Sequence, residues 1–322
     1  MIFFKNKSRR IRVFFATDIH GSNICWKKFL NAWRHYEANI LILGGDMTGK
    51  AIIPIVRHDS FWQTCFLDTN YIIHDQTELA QLEALIANRG YYPVIVTPAE
   101  FYDLSHNSVK QDQLFRELMI QRLELWIEEA DKRLAGTGIR CFVCPGNDDL
   151  FEVDEVIQRS RIVQLADGRV VEFDGYQMVS TSWSNITPWH TVREEPEEAL
   201  YSRIKSMLQH VTAPPHRVIF NLHCPPYASG LDEAPEVTSD LRTKYAGRAT
   251  RPAGSKAVRQ LIEQFQPLVS LHGHIHEGRG AVRIRRTLCV NPGSAYEQGQ
   301  LFGVLLDLNG DETLRRYLLT VG

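Results

Sequence analysis

The sequence predicts an α/β protein built on parallel strands, and two observations carry that expectation. Short apolar runs rich in Val, Ile, Leu and Phe alternate with stretches of helical spacing. Five of those runs lead into small clusters of Asp, Asn and His: Asp18-Ile19-His20, Gly44-Gly45-Asp46, Gly146-Asn147-Asp148-Asp149, His223 and Gly273-His274-Ile275-His276. Strands of a parallel sheet present their last residues along one edge, so these five clusters are expected to meet there.

Residues 11–18 read as the first strand, 22–36 as a helix with Ile24, Phe29, Leu30 and Trp33 on its apolar side, and 39–43 as the second strand. This is a β-α-β unit, for which a right-handed crossover is expected. The segment after Met47 is far longer than a crossover needs. Residues 51–56, 61–67 and 71–73 look like short strands joined by polar turns, which suggests an antiparallel flap placed to roof the site. Helical spacing follows over 77–88, with Thr77 as its cap, and over 111–134. The chain is therefore expected to be a single domain, 1–322, carrying an inserted flap and helical segment over 51–137. Phe61, Trp62, Tyr91 and Tyr92 of that segment are candidates for a substrate roof or for the interface of a homo-oligomer.

The remainder reads as a strand at 141–144, a hairpin at 169–181 turning on Asp174-Gly175, a helix over 194–210 and a strand over 217–222. Residues 227–252 are polar, bear Gly and Pro and have no clear period, so they form a loop beside His223. A helix over 255–264 and a strand over 267–271 follow. Strands over 281–284, 287–290, 301–308 and 313–319, with turns at Asn291-Pro292-Gly293-Ser294 and Asn309-Gly310, are expected to make a second sheet packed on the first.

A chain of 322 residues with 44% hydrophobic content can bury a substantial core. Lys plus Arg number 36 against 38 Asp plus Glu, a net charge of -2, so no broad basic surface is available to drive nucleic-acid binding. The expected partner is a small molecule. Cys141 and Cys144 have CxxC spacing but fall on opposite faces of a strand, which argues against a zinc or redox role. No apolar stretch approaches the length of a membrane span, and the basic cluster Lys5, Lys7, Arg9, Arg10 follows the first apolar residues instead of preceding an apolar core. The expected location is the cytoplasm.

Taken in order, the series D-x-H, G-D, G-N-x-D, H and G-H-x-H resembles the calcineurin-like metallophosphoesterase superfamily, over about residues 11–50 and 138–310. Gly254-Ser255-Lys256-Ala257-Val258-Arg259 and Asn291-Pro292-Gly293-Ser294 are similar to its prokaryotic branch related to cyclic-nucleotide phosphodiesterases. The resemblance implies a four-layer α/β/β/α sandwich of two mixed sheets flanked by helices. It also implies two divalent metal ions, one held by Asp18, His20, Asp46 and His276, the other by Asp46, Asn147, His223 and His274. Nitrogen and oxygen ligands without thiolate suit Mn, Fe, Ni or Zn, and the sequence does not choose among them. A metal pair of this kind activates a bridging water and clamps the attacking and leaving oxygens of an in-line displacement at phosphorus.

One departure from the superfamily pattern bears on substrate. Where many members carry a His that protonates the leaving group, this chain has Asp148. An ionised carboxylate, with a normal pKa near 4, donates no proton and repels a dianion more than a monoanion. With Asp148 and Asp46 as the candidate catalytic residues, the expected activity is phosphodiester hydrolysis on a small nucleotide-like or other small diester. A phosphomonoesterase, a nuclease or a non-catalytic binding scaffold are the alternatives. Asp149 is expected to orient Asp18-Ile19-His20 or its neighbours, His272 to be buried structure, Asn291-Pro292-Gly293 to form a tight turn near the metals, and His58, His74 and His106 to lie on the surface.

Overall fold

Alternate residues of the first strand serve two cores: Phe14 and Ala16 pack on one side, Val13 and Phe15 on the other. A strand buried on both faces carries an unbroken apolar run, which is why the sequence shows no polar alternation here. The computed structural model describes residues 11–238, 240, 242–244, 248–308 and 314–322. The basic cluster Lys5 to Arg10 and the turn expected at Asn309-Gly310 lie outside the described residues.

In chain order, β1 (Ile11–Ala16), α1 (Asn23–Tyr36) and β2 (Ile40–Leu43) form the opening β-α-β unit. Then come β3 (Ile52–Arg57), β4 (Trp62–Phe66), β5 (Thr69–Ile73), α2 (Gln76–Asn88), β6 (Tyr92–Val96), α3 (Pro98–His106) and α4 (Ser108–Leu134). β7 (Arg140–Val143), α5 (Glu152–Gln158), β8 (Val163–Leu165), β9 (Arg169–Phe173) and β10 (Tyr176–Thr181) follow, with the short pair β11 (Ser184–Asn185) and β12 (Glu194–Glu195). The last third holds α6 (Glu197–Leu208), β13 (Val218–Leu222), β14 (Glu233–Pro235), β15 (Thr250–Pro252), α7 (Lys256–Phe265), β16 (Val269–Leu271), β17 (Gly280–Ile284), β18 (Thr287–Asn291), β19 (Phe302–Leu308) and β20 (Leu314–Val321).

Among the described residues these strands make two six-stranded mixed sheets, ordered β20-β19-β1-β2-β7-β8 and β17-β18-β16-β13-β10-β9. In each, four strands run parallel and the flanking ones pair antiparallel with their neighbours. The sheets face each other across a core that includes Phe15, Ile42, Phe142, Met178, Ile219 and Leu271. Helices α1, α4 and α5 cover the outer face of the first sheet, and α6 and α7 that of the second. This is the four-layer α/β/β/α sandwich. No helix among the described residues is long and apolar enough to cross a membrane.

Several sequence expectations need correction. β19 and β20 join the first sheet beside β1, not the second, because β19 pairs along the whole of β1 from Ile11↔Leu308 to Ala16↔Gly303. The flap is a four-stranded sheet, β5-β4-β3-β6, in which β6 runs parallel to β3 and α2 closes one face. Asp75, not Thr77, caps α2, accepting from Thr77 N and Glu78 N at 2.8 and 2.9 Å. The helix expected from 194 starts at Glu197, since Pro196 biases the residue before it to extended backbone and Glu194–Glu195 pair with Ser184–Asn185. α4 packs on the first sheet, its Trp126 ring stacked on Trp26 at 5.0 Å. Cys141 and Cys144 do face opposite cores, and all six cysteines are free.

Candidate metal centre

β1, β2, β7, β13 and β16 run parallel within their sheets, and the residues just past their carboxyl ends form one cluster. Asp18, His20 and His276 bring one ligand atom each to within 4.8 Å of one another, and so do Asp46, His223 and His274. A third such group is His20, Asp46 and Asp148. The backbone that delivers them is strained: Asp18, His20, Asp46 and His274 all have positive φ, at 51°, 39°, 43° and 68°. Each costs roughly 1 to 3 kcal/mol, and such residues gather where function demands the geometry.

The cluster's hydrogen bonds leave metal-binding atoms facing one another without other partners. His223 Nδ1 lies 3.1 Å from the carbonyl oxygen of Gly44, to which it donates, so its tautomer frees Nε2. That Nε2 is buried without a hydrogen-bond partner, as is Asn147 Oδ1. The Asn147 amide donates through Nδ2 to Thr191 Oγ1 at 2.7 Å, which turns Oδ1 away from that loop. Two imidazole nitrogens, His20 Nε2 and His276 Nε2, stand 3.0 Å apart. Orphaned ligand atoms are costly in a buried site unless a cation satisfies them, and two carboxylates, an amide oxygen and four imidazoles fit a divalent ion of intermediate softness.

The electrostatics agree with that reading. Burial works to raise Asp18, but its hydrogen bond to His276 and the charge of His223 outweigh it and hold the carboxyl down at about 2. Burial opposes charge on His223, yet the charge of Asp46, whose Oδ2 faces Nε2 at 3.4 Å, lifts it to about 9. Burial, followed by the charge of His223, presses His274 down to about 4. Bound cations would take the place of the protons that these groups share.

Supporting residues fix the cage. Asp149 is buried and accepts from Met47 N, Thr48 N, Thr48 Oγ1 and Gly146 N at 3.0, 2.9, 2.6 and 2.8 Å. It therefore braces the Asp46 loop, and no hydrogen bond ties it to Asp18-Ile19-His20. Asn291 donates to the carbonyls of Gly273 and Ile275 at 3.3 and 2.8 Å, with Gly293 at φ +70° closing the turn. Its role is to hold the Gly273 to His276 loop. His272 is buried, pushed down to about 4 by burial, and its Nδ1 faces the carbonyls of Leu222 and Cys224; it joins none of the three groups.

Gly146 shows how tight the cage is. A Cβ there would stand 2.1 Å from Asp46 Oδ1 and 2.3 Å from Asp46 N. Gly146→Ala is therefore expected to displace Asp46 and weaken Mn binding about tenfold or more, in the range seen when supporting groups around a metal are lost. Calorimetric titration with Mn checks this, and unchanged affinity would show that the loop gives way freely.

The cluster opens into a cavity of about 780 Å³, lined from the metal side by Asp46, Asn147, Asp148, His274 and His276. Loop 185–191, with Ile186, Pro188 and Trp189, forms one wall, and Tyr227, Ala234, Pro235 and Pro252 from the loop after His223 form another. From the segment after Asp46 only Thr48, Gly49, Lys50 and Phe115 contribute, so the small sheet does not roof the site. Tyr92 is buried, its hydroxyl accepting from Gly49 N at 2.8 Å, and Phe61, Trp62 and Tyr91 are half-buried away from the cavity.

Sequence reading missed Lys50, whose Nζ lies 3.3 Å from Asp148 Oδ2, and Tyr296, whose ring packs on His20 at 4.7 Å. It also missed Arg193, buried beneath the Asn147 loop. Only the GD-x-x-x-K spacing could have pointed to the first. Asp148 itself is pushed up to about 6, by burial first and by the charge of Asp46 second, against the pull of Lys50. The carboxylate at this position is thus paired with Lys50.

No family model matches the chain. An uncharacterized protein of Methanocaldococcus jannaschii, MJ1162, is 28% identical over 172 residues, covering 52% of this chain and 71% of its own. Among solved structures, TT1561 of Thermus thermophilus matches with a TM-score of 0.53 at 13% identity, over 97% of this chain and 98% of that one. YfcE, a phosphoesterase from E. coli, matches over 96% of this chain and 98% of its own, at 12% identity and a TM-score of 0.32. Fold and cluster together define a class: an α/β/β/α sandwich with nitrogen and oxygen donors gathered at the strand ends. The fold is the one implied by the resemblance to the calcineurin-like metallophosphoesterases.

Proposed function

We propose that the chain is a metallophosphoesterase of the calcineurin-like superfamily, a cytoplasmic dinuclear hydrolase of small phosphodiesters, nucleotide-like ones foremost. The observation that carries this is the paired cage: two clusters of ligand atoms, with Asp46 reaching toward His223 at 3.4 Å and His20 at 3.8 Å. Asp18, His20, Asp46 and His276 would hold one ion, and Asp46, Asn147, His223 and His274 the other. Bound there, the ions would activate water and neutralise charge on a phosphoryl group. The chain's own part is to hold them, to orient the phosphoryl group beneath loop 185–191 and to limit water.

Support for a small diester comes from the cavity and from Asp148. The cavity volume is in the range of nucleotide-sized ligands, and Ile186, Trp189 and Tyr227 offer apolar and aromatic surface for an organic substituent. Asp148 stands where an imidazole acid would serve an alkyl monoester, and its carboxylate is paired to Lys50. The free cysteines suit a reducing compartment.

Protein purified without chelator should carry about two transition-metal ions per chain and hydrolyse bis-p-nitrophenyl phosphate with a higher kcat/KM than p-nitrophenyl phosphate. A clear win for the monoester would refute the diester preference. Absence of both metal and turnover, even after Mn addition, would leave a binding scaffold as the better account.

A further inference from the structure

The chain lacks the histidine of its resemblance but has a cation in the same corner of the site. Lys50 lines the cavity beside Asp46, Asp148, His274 and His276. Its Nζ lies 3.3 Å from Asp148 Oδ2, with side-chain exposures of 48% and 29%. The backbone leading to it is fixed. Thr48 is held by Asp149, Gly49 N donates to the Tyr92 hydroxyl, and a Cβ on Gly49 would meet the Gly90 carbonyl at 2.2 Å. A rigid loop therefore presents a long cationic side chain to a half-open cavity next to the ligand cluster. The charge of Lys50 is felt at His20, Asp46 and His276.

Stability does not account for the pair. A half-exposed ion pair is worth little to the fold, and Asp148 needs no salt bridge to hold its backbone, whose N–H already donates to Asp46 Oδ1 at 3.0 Å. An ammonium has three donors, so it can keep one on Asp148 and turn the others to an incoming anion.

We propose that Lys50 is a phosphate-contacting residue of this site, its ammonium meeting the non-bridging oxygens of a bound phosphodiester, and that Asp148 is the positioning residue that aims it. This rests on the metallophosphoesterase reading. It moves Asp148 from a charge-repelling role to one exerted through Lys50, and it supplies by charge what the missing imidazole would supply. The pair carries no net charge before the anion arrives, which lets a monoanionic diester approach without repulsion.

The test uses the full chain loaded with Mn and the variants Lys50→Met, Lys50→Arg and Asp148→Asn. Calorimetry with inorganic phosphate reads anion binding without requiring turnover, and kcat/KM on bis-p-nitrophenyl phosphate reads the reaction. In Lys50→Met, phosphate affinity should fall about tenfold or more while Mn content stays at the wild-type level, because one charge-assisted contact is lost. Lys50→Arg should recover most of the affinity. Asp148→Asn should show a smaller loss, since the cation remains but is no longer aimed.

Phosphate binding by Lys50→Met equal to wild type, or no phosphate binding by wild type at all, would overturn the proposal. If wild type bound Mn and phosphate in a Lys50-dependent way yet turned over no ester, the hydrolase reading would fail and the Lys50 contact would stand. If wild type were active and Lys50→Met unaffected in both assays, the reverse would hold.

Discussion

Asp46→Ala is expected to lose at least one of the two metal ions proposed for the cage and to cut the proposed diester hydrolysis about a thousandfold or more. Lewis-acid stabilisation by a bound ion is worth several kcal/mol, and about 4 kcal/mol corresponds to a factor of a thousand. Asp46 is singled out among the ligands by its position. Its Oδ2 faces His223 Nε2 at 3.4 Å and His20 Nε2 at 3.8 Å, while Oδ1 accepts the Asp148 N–H at 3.0 Å. It reaches from one cluster to the other at closer range than Asp18, whose Oδ1 lies 3.6 Å from His276 Nε2 and 3.9 Å from His223 Nε2. The loop pays for that placement with a left-handed backbone at φ 43°, braced by the four hydrogen bonds that Asp149 accepts. Elemental analysis of the variant and its rate on bis-p-nitrophenyl phosphate decide the matter. Two ions retained, or a rate within tenfold of wild type, would remove Asp46 from the bridging position.

The seven candidate ligands were legible because each belongs to a short polar cluster behind a buried strand, and parallel strands aim such clusters at one edge. Their spatial grouping needed only the layer architecture. The connectivity of the last strands was not legible in the same way. β19 has the same apolar composition as β18, and nothing local says that its partner is β1, some 300 positions away, instead of its neighbour in sequence. The Tyr-Tyr pair at 91–92 looked like exposed aromatic surface because composition does not reveal that the loop of Gly49 lies on the Tyr92 hydroxyl. Lys50 escaped notice for a related reason. A lysine after a glycine reads as a solvated loop residue, and only the folded chain sets it opposite Asp148.

The same holds for Arg193, whose environment gives it a large expected effect on stability. It is 1% exposed, and its guanidinium donates to Asp154 Oδ1 at 2.7 Å, Asp167 Oδ2 at 3.3 Å and Ser182 Oγ at 3.3 Å. It also holds the carbonyls of Asp149 and Leu150 at 2.8 and 3.0 Å, and its own backbone N–H donates to the carbonyl of Asn147 at 3.2 Å. Arg193→Met keeps much of the volume but leaves two carboxylates and two carbonyls facing a buried apolar chain. Removing one partner of a buried ionic network costs about 3 to 5 kcal/mol. Asp154 retains some access to water, so the lower end of that range is expected, a fall in Tm of about 5 °C or more. Because the guanidinium ties down the strand-end turn that carries Asn147, Mn affinity should fall with stability, whereas a purely structural salt bridge elsewhere would leave it unchanged. Thermal unfolding and Mn titration on the same variant separate the two effects. A Tm within about 2 °C of wild type would mean that water enters to solvate the carboxylates, and unchanged Mn affinity would mean that Asp149 alone holds the turn.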